Sequence, residues 1–194
     1  DDVVEVPYSS SLTTLNTLTL EAWVNLNSLQ SGQHILDQWG SSGIYTLRVE
    51  NSGTATMSLN LDGMSSGGYI EYVIPTDDVG QWVNVAATYD GSNLILYSNG
   101  VLMNTEPTTG DPSATHAENS LRIGNNASNQ ALGGMIDEVR IWNIALTQAE
   151  IQSYMSTPPT GNEEGLVGYW NFNAGSGNIL YDHSGNGNHG TIHG

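Results

Sequence analysis

The sequence predicts an all-β protein, in which two antiparallel sheets form a sandwich and one short helix lies near the C-terminus. Two observations support this fold class. Short segments in which apolar and polar residues alternate recur along the chain, and Gly, Asn, Asp and Ser separate them. A single segment carries helix-start and helix-stop signals. The length of 194 residues is enough for one such domain with a sizeable core.

The alternation is clearest in residues 18–26 (LTLEAWVNL), where every second residue is apolar. Such residues share one face of a strand, so this segment is predicted to be half-buried. Weaker alternation predicts further strands at residues 45–49, 55–61, 69–74, 121–124 and 135–142.

Two apolar runs, Trp82–Tyr89 and Leu94–Ser98, flank the turn residues 90–93 and predict a pair of strands. Asn99-Gly100 then leads into residues 101–103. A type I′ turn needs positive φ at both central residues, which Asn and Gly tolerate, so a hairpin is predicted here.

The helix is predicted from Thr147-Gln148-Ala149-Glu150, which has the pattern of a capping box. Pro158 and Pro159 would end it. The turn-rich residues that follow lead into a segment of different character. We therefore divide the chain into a sandwich at 1–157, a linker at 158–164 and a tail at 165–194.

The charge excludes two classes of partner. The chain has 20 acidic and three basic residues, so its formal net charge is −17. That charge repels nucleic-acid phosphates and anionic lipid headgroups, and no apolar run approaches the ~18 residues of a membrane span. The acidity serves either solubility or divalent-cation binding. The absence of cysteine excludes disulfides and thiolate metal sites.

Four stretches carry a family resemblance: Val3–Pro7, Leu18–Val24, Gln81–Gly100 and Gly134–Leu146. Together they resemble the laminin G-like jelly-roll domains of bacterial extracellular proteins, within the concanavalin A-like lectin/glucanase group. The resemblance implies a jelly-roll sandwich, a secreted or cell-surface location in a bacterium, and a structural Ca²⁺ near the strand that contains Asp137.

The tail also resembles this family, but in an unusual place. Motifs similar to Gly165–Phe172 and Asp182–Gly190 usually precede the opening strand of such a domain, whereas here they follow it. Either the tail begins a further repeat, or it folds back as an added strand on this molecule or on a neighbour. The second interpretation predicts a monomer or a tail-swapped oligomer.

Asp137 is the first candidate metal ligand. Strict alternation in GMIDEVRIW would place Asp137 on the same, apolar side as Met135, Val139 and Ile141. An isolated carboxylate there is costly, so it would bind either Ca²⁺ or backbone amides.

Two further positions could bind a hard cation. Asp182, Asn186 and Asn188 place side-chain oxygens at alternating positions between glycines, which fits either a Ca²⁺ loop or a turn fixed by side-chain hydrogen bonds. Asp2, beside Asp1, could join a Ca²⁺ site or form a solvated end.

A glycan site is predicted at Trp39, together with Asp37, Gln38 and Tyr45, in a stretch rich in Gly and Ser. An aromatic ring can stack on the C–H faces of a sugar while amide and carboxylate groups bind its hydroxyls. The alternative is a Trp folded over a sheet edge. The tryptophans at 23, 82, 142 and 170 fall in apolar patterns and are assigned to the core.

Catalysis is not predicted. Retaining glycoside hydrolysis needs two carboxyl groups about 5 Å apart. Asp137 and Glu138 are adjacent and would face opposite ways, while Glu50 and Glu71 are isolated in their strands. The sequence therefore predicts a non-catalytic extracellular binding module, calcium-stabilised and directed at a polysaccharide or glycoconjugate. The alternative is an adhesion or architectural repeat of a large bacterial cell-surface protein, which would bind protein or matrix ligands.

Overall fold

The computed structural model describes residues 2–13, 15–38, 44–112 and 118–194, which form a sandwich of two antiparallel sheets. Two short 3₁₀ turns, Ser10–Leu12 and Thr76–Asp78, lie in the connections. The strands and the helix, in chain order, are β1 Val3–Val6, β2 Leu18–Leu26, β3 Gln33–Asp37, β4 Tyr45–Asn51, β5 Ala55–Leu61, β6 Met64–Ser66, β7 Tyr69–Val73, β8 Trp82–Tyr89, β9 Asn93–Ser98, β10 Val101–Pro107, β11 Thr109–Gly110, β12 Leu121–Ile123, β13 Gly134–Trp142, α1 Gln148–Ser156, β14 Leu166–Trp170, β15 Ile179–Leu180 and β16 Gly190–His193.

The two large sheets have eight and six strands. The eight-stranded sheet has the order β15-β16-β1-β12-β3-β4-β5-β7, and the six-stranded sheet has the order β10-β9-β8-β2-β13-β14. The small strands β6 and β11 pair separately. The all-β sandwich predicted from the sequence is therefore confirmed.

The main core fills the space between the sheets, as the alternation predicts. In β2 the even-numbered residues from Leu18 to Leu26 are buried in this core, so the odd-numbered residues face the other side of the sheet. Trp170 lies in the same core and is fully buried, whereas Trp82 is 43 % exposed and Trp23 only partly buried. The assignment of Trp82 and Trp23 to the core is thus wrong, because Trp23 is an outward residue of β2 and Trp82 lies opposite Asn25, another outward residue.

Helix α1 covers the outer face of the six-stranded sheet. Ile151 of the helix joins Trp142, Leu166 and Tyr169 in a second apolar cluster. The predicted capping box is confirmed, since the Thr147 side chain accepts from the Glu150 amide and the Glu150 side chain accepts from the Thr147 amide.

The hairpin between β9 and β10 turns at Asn99-Gly100. Both residues have positive φ, 49° and 68°, so the predicted type I′ turn is confirmed. Gln148 and Gln152 of α1 each donate a side-chain N–H to the Gly100 carbonyl at 2.8 Å. A Cβ at Gly100 would lie 2.6 Å from the Gln152 side chain, so this turn needs glycine for space as well as for φ.

The tail contributes strands to both large sheets. β14 pairs with β13 in the six-stranded sheet, with Val139 opposite Trp170. β16 pairs with β1 in the eight-stranded sheet, with Val3 opposite His193. Between sandwich and tail, the Glu163 carboxylate accepts from the amides of Thr160 and Gly161, which fixes that connection as a turn.

Candidate ligand-binding site

The predicted glycan site at residues 37–45 is only partly described. Trp39 lies outside the described residues. Gln38 and Tyr45 are buried, and the Tyr45 ring belongs to the main core. The prediction that these two residues bind a ligand is therefore wrong, because neither presents a surface to an external glycan. The reason is local: Gln38 directly follows β3, and its backbone N–H donates to the carbonyl of Tyr45, the first residue of β4, at 3.0 Å.

Asp37 belongs to a buried polar network. Its carboxylate lies 3.1 Å from His34 Nδ1, which also contacts the Thr46 hydroxyl at 3.2 Å. Asn126, in the loop after β12, donates to His34 Nε2 at 3.1 Å, so the ring proton belongs on Nδ1. Asp37 is 3 % exposed. Its contacts join β3, β4 and this loop, which is a structural arrangement rather than a surface for a ligand.

A more open polar site lies on the outer face of the eight-stranded sheet. Strands β4, β5 and β7 and the β4–β5 turn form a cleft of about 320 Å³, which we call the sheet groove. Its residues face outward because their neighbours in each strand, such as Leu47 and Ile70, fill the core. The lining residues are Arg48, Glu50, Ser52, Thr54, Thr56, Tyr69 and Glu71.

The polar groups of the sheet groove are held in place by one another. Arg48 Nε lies 2.6 Å from Glu50 Oε1 in an ion pair. The hydroxyls of Tyr69 and Thr56 both donate to Glu71 Oε2, at 2.5 and 2.8 Å. Burial, the hydrogen bond to Glu71 and the charges of Glu71 and Glu50 raise the pKa of Tyr69 to about 12. The Tyr69 hydroxyl therefore stays protonated and remains a donor at neutral pH.

This arrangement suits the recognition of a polyol. The Tyr69 ring is 41 % exposed and offers an apolar face beside hydroxyl, carboxylate and guanidinium groups, the combination that fixes a sugar ring. Glu50 and Glu71, isolated in sequence, are brought to one cleft here. The Glu50 carboxylate is engaged in an ion pair with Arg48, and the Glu71 carboxylate accepts hydrogen bonds from two hydroxyls.

The sequence did not point to the sheet groove because lateral strand pairing creates it. Glu50 lies opposite Thr56, and Ser58 lies opposite both Arg48 and Glu71. The available signal was the polar half of the alternation in TLRVEN and YIEYV, which identifies outward positions but not their neighbours.

Asp137 lies on the outer face of its sheet, which corrects the predicted side. A bulge at Glu138, whose φ is +50°, shifts the register between Asp137 and Arg140. Asp137 pairs with Trp23, an outward position of β2, while Ile136 packs against the main core and Met135 is 52 % exposed. One extra residue thus reverses the faces on its N-terminal side.

The Asp137 carboxylate is a reasonable ligand for a hard cation. Its Oδ1 accepts from the Glu138 amide at 2.7 Å, and no hydrogen bond involves Oδ2 within the described part of the chain. Burial raises the pKa of Asp137, with the neighbouring Glu138 charge adding to that effect. A bound cation would relieve this cost.

The Asp182 loop has the opposite character. The carboxylate accepts from the amides of Tyr169, Ser184 and Asn188 and from the Ser184 hydroxyl, at 2.8–3.0 Å. Asn186 and Asn188 direct their amide N–H groups at the carbonyls of residues 166 and 167. Donors that already surround Asp182 favour the turn interpretation, and this loop does not fit Ca²⁺ as it stands.

Asp2 is the remaining predicted metal ligand. It lines a cleft of about 350 Å³ at the end of the sandwich, together with Met135 and Phe172. The described residues contain no group of three His, Asp or Glu side chains arranged for a metal. Of the five predicted ligands, Asp182, Asn186 and Asn188 lie together in the Asp182 loop.

Comparisons with solved structures show the same fold. A putative carbohydrate-binding protein from Bacteroides ovatus superimposes with a TM-score of 0.77 at 21 % identity, over 100 % of this chain and 56 % of that one. A SAP-like pentraxin from Limulus polyphemus superimposes with a TM-score of 0.61 at 17 % identity, over 99 % of this chain and 94 % of that one. Domain 4 of an extracellular GH43 arabinanase from Geobacillus stearothermophilus, in complex with arabinotriose, superimposes with a TM-score of 0.55 at 21 % identity. The match covers 77 % of this chain and 70 % of that one.

Sequence comparisons are consistent with this fold. Mouse pappalysin-1 is 42 % identical over 81 residues, which are 40 % of this chain, and the chain spans only 5 % of the length of that relative. A laminin G 3 family profile, described as the concanavalin A-like lectin/glucanases superfamily, matches residues 1–152. The chain belongs to this laminin G-like family.

Proposed function

We propose that this chain is a non-catalytic carbohydrate-binding module of an extracellular protein, and that the sheet groove binds the glycan. The observation that carries the proposal is the exposed Tyr69 ring set among fixed polar groups on an uncovered sheet face. The family and its carbohydrate-binding structural neighbours support a binding module. A ligand can stack on the ring while its hydroxyls meet Glu71, Thr56 and Arg48.

The groove is tested by glycan binding with matched tyrosine variants. Wild-type protein, Tyr69→Ala and Tyr8→Ala would be compared on a glycan array and by titration with the glycans that bind. Tyr8 is 44 % exposed and lies outside the groove, so it is the control for loss of a surface ring. We expect Tyr69→Ala to weaken binding roughly tenfold and Tyr8→Ala to have no effect. Equal affinities for all three proteins would exclude the groove.

Trp39 remains a proposed contact on sequence grounds, since it comes two residues after the last residue of β3 in the sequence. Trp39→Ala should weaken binding of the same glycans. An unchanged affinity in that variant would remove the β3–β4 loop from the site while leaving the groove untouched.

Calcium stabilisation is the second part of the proposal, and Asp137 is the position that supports it best. A cation that binds only the folded state raises the melting temperature by linkage. We expect EDTA to lower the melting temperature of wild-type protein, and Asp137→Asn to abolish that shift. Asp182→Asn is the control: it should lower stability in either condition but leave the EDTA shift in place. The absence of an EDTA shift in wild-type protein would contradict the calcium proposal.

We propose an extracellular location, which is supported by the family likeness and by a structural neighbour that is a domain of an extracellular arabinanase. Among the described residues, no helix has the length and apolarity to cross a membrane. We further propose a bacterial source and a monomer whose tail packs on its own sandwich, as against a tail-swapped oligomer. Light scattering of purified protein distinguishes the two states.

A protein-binding adhesion repeat is the second candidate, and one observation favours it. Val101, Leu102 and Met103 are 56, 48 and 39 % exposed on β10, an edge strand of the six-stranded sheet. Exposed apolar side chains on an edge strand can pair with another chain. If matrix proteins bind while every glycan fails, and Leu102→Asp abolishes that binding, this candidate replaces the first.

A further inference from the structure

The tail forms a second cleft, which shares no lining residue with the sheet groove. Residues after β14 and around β15 enclose a volume of about 310 Å³, which falls within the range of small-ligand sites, about 300–1,000 Å³. We call it the tail cleft. It is lined by Asn171, Asn173, Ala174, Leu180, Tyr181 and His183.

The rings of the tail cleft are held by the backbone beneath them. Leu180 and Asp182 are buried, whereas Tyr181 and His183 are exposed, because successive residues of an extended segment face opposite ways. The Asp182 carboxylate accepts from the amides of Tyr169 and Asn188, which anchors this segment to β14 and to the loop before β16. A rigid backbone therefore presents both rings.

Ring contacts fix the orientation of the two side chains further. Tyr181 meets His189 edge to face with centroids 5.3 Å apart, and His183 packs on Tyr169 at 5.8 Å. Tyr181 is nevertheless 52 % exposed. An aromatic ring that is supported at its edge and open to solvent is a preformed stacking surface.

The polar side chains of the tail cleft include two amides, Asn171 and Asn173, beside the Tyr181 hydroxyl and the His183 imidazole. Asn171 Oδ1 accepts a hydrogen bond from the backbone N–H of Asn173 at 3.2 Å, which forms a turn. The side-chain nitrogen of Asn171, Nδ2, can then donate to a ligand. Among the residues that line this cleft there is no Asp, Glu, Lys or Arg. In a chain of net charge −17, this cleft is therefore lined without a carboxylate, ammonium or guanidinium group.

We infer that the tail cleft is a second glycan subsite, specific for neutral sugars. The inference rests on the proposed carbohydrate-binding function and adds to it both a location and a ligand class. The Tyr181 ring would stack on a sugar face, and the amides of Asn171 and Asn173 would bind hydroxyls. Uronates and sulfated sugars are disfavoured, because no guanidinium lines the cleft and the surrounding protein is strongly acidic.

The test maps binding to each site separately. Arabinotriose, xylohexaose, mannohexaose and cellohexaose would be titrated into ¹⁵N-labelled wild-type protein, with galacturonate hexamer as the anionic comparison. Tyr181→Ala removes the stacking ring at the tail, and Tyr69→Ala removes the ring in the sheet groove. Ile179→Ala is the matched tail control, since Ile179 is 44 % exposed and does not line the cleft.

We expect at least one neutral oligosaccharide to shift the amide signals of residues 171–183, and Tyr181→Ala to weaken that binding roughly tenfold. Ile179→Ala and Tyr69→Ala should leave it unchanged. Shifts confined to the sheet groove would overturn the tail subsite and leave the proposed function standing. Failure of every glycan would overturn both, and stronger binding of the galacturonate hexamer would overturn the neutral-sugar specificity.

Discussion

The outer faces of the two sheets carry the same kind of residue but in different surroundings. On the six-stranded sheet, α1 covers a network in which Arg140 contacts Glu138 and lies 3.9 Å from Glu21, with both Arg140 and Glu21 fully buried. On the eight-stranded sheet, Arg48 pairs with Glu50 in a groove that solvent reaches. Burial is therefore what separates a structural charge network from one that can meet a ligand.

The physical difference lies in desolvation. Charges under α1 have lost their water and depend on one another, so removing one member leaves the others uncompensated. Trp142 Nε1 donates to Glu21 Oε2, and the Tyr169 hydroxyl donates to Glu138, which partly compensates. Charges in the sheet groove keep much of their hydration, so their pairing adds little stability and can be exchanged for contacts with a ligand.

The largest expected effect comes from removing the buried cation. Arg140→Met should lower the free energy of unfolding by about 3–5 kcal/mol, because Glu138 and Glu21 would remain under the helix without it. Arg48→Met is the matched control and should cost about 0–1 kcal/mol. Urea unfolding measures both. Equal losses in the two variants would contradict the difference between the faces.

The next largest effect is a dependence of the free energy of unfolding on pH, caused by the titration of Glu21. Burial raises the pKa of Glu21 from 4.5 to about 7, against the opposing charge of Arg140 and the Trp142 hydrogen bond. The folded protein thus holds this proton more tightly than the unfolded chain does. The contribution to stability is fully present below pH 4.5 and is lost as the pH rises through about 7.

Glu21→Gln removes this titration. The difference in free energy of unfolding between wild type and Glu21→Gln should change by about 3 kcal/mol between acidic and mildly alkaline pH. Urea unfolding at a series of pH values measures it. A difference that stays constant across this range would show that Glu21 keeps its ordinary pKa in the folded protein.

A smaller loss of stability is expected from weakening helix α1, which covers the buried charge network. Thr147→Ala removes the cap of α1 and should lower the free energy of unfolding by about 1 kcal/mol. Thr147→Ser keeps a capping hydroxyl and should restore most of that loss. Thermal unfolding of the three proteins checks this, and identical melting temperatures would show that packing alone holds the helix on the sheet.

The smallest effect is expected in the sheet groove. Glu71→Gln should change the free energy of unfolding by less than about 1 kcal/mol. It should nevertheless lower the pKa of Tyr69 from about 12, because the Glu71 hydrogen bond and charge contribute to that value after burial. An NMR titration of Tyr69 detects this change. An unaltered pKa would mean that burial alone accounts for it.

Local chemistry explains what the sequence predicted well. The strands follow from alternation, the turn at Asn99-Gly100 from the φ that these residues tolerate, and the start of α1 from the Thr147–Glu150 capping box. Each of these signals is contained within a few neighbouring residues.

Features that depend on distant residues were mispredicted or missed. The bulge at Glu138 moves Asp137 to the outer face, and no local signal in GMIDEVRIW announces it. Asp37 is buried in a network in which it contacts His34, and the ring of His34 is in turn hydrogen-bonded by Asn126. The sheet groove is assembled from separate strands, so residues that are isolated in sequence become neighbours there only after the strands pair.

Because β1 pairs with β16, the order of the segments along the chain could change while their arrangement in space stays the same. Val3 lies opposite His193, so the two ends of the described chain share one ladder of the eight-stranded sheet. A short peptide could join them, and the chain could then be opened between 158 and 164. Such a circular permutant would keep every strand pair while placing the tail motifs ahead of β1, the order usual in domains that this chain resembles. We therefore expect that either order can encode the sandwich, provided that the same edge is completed.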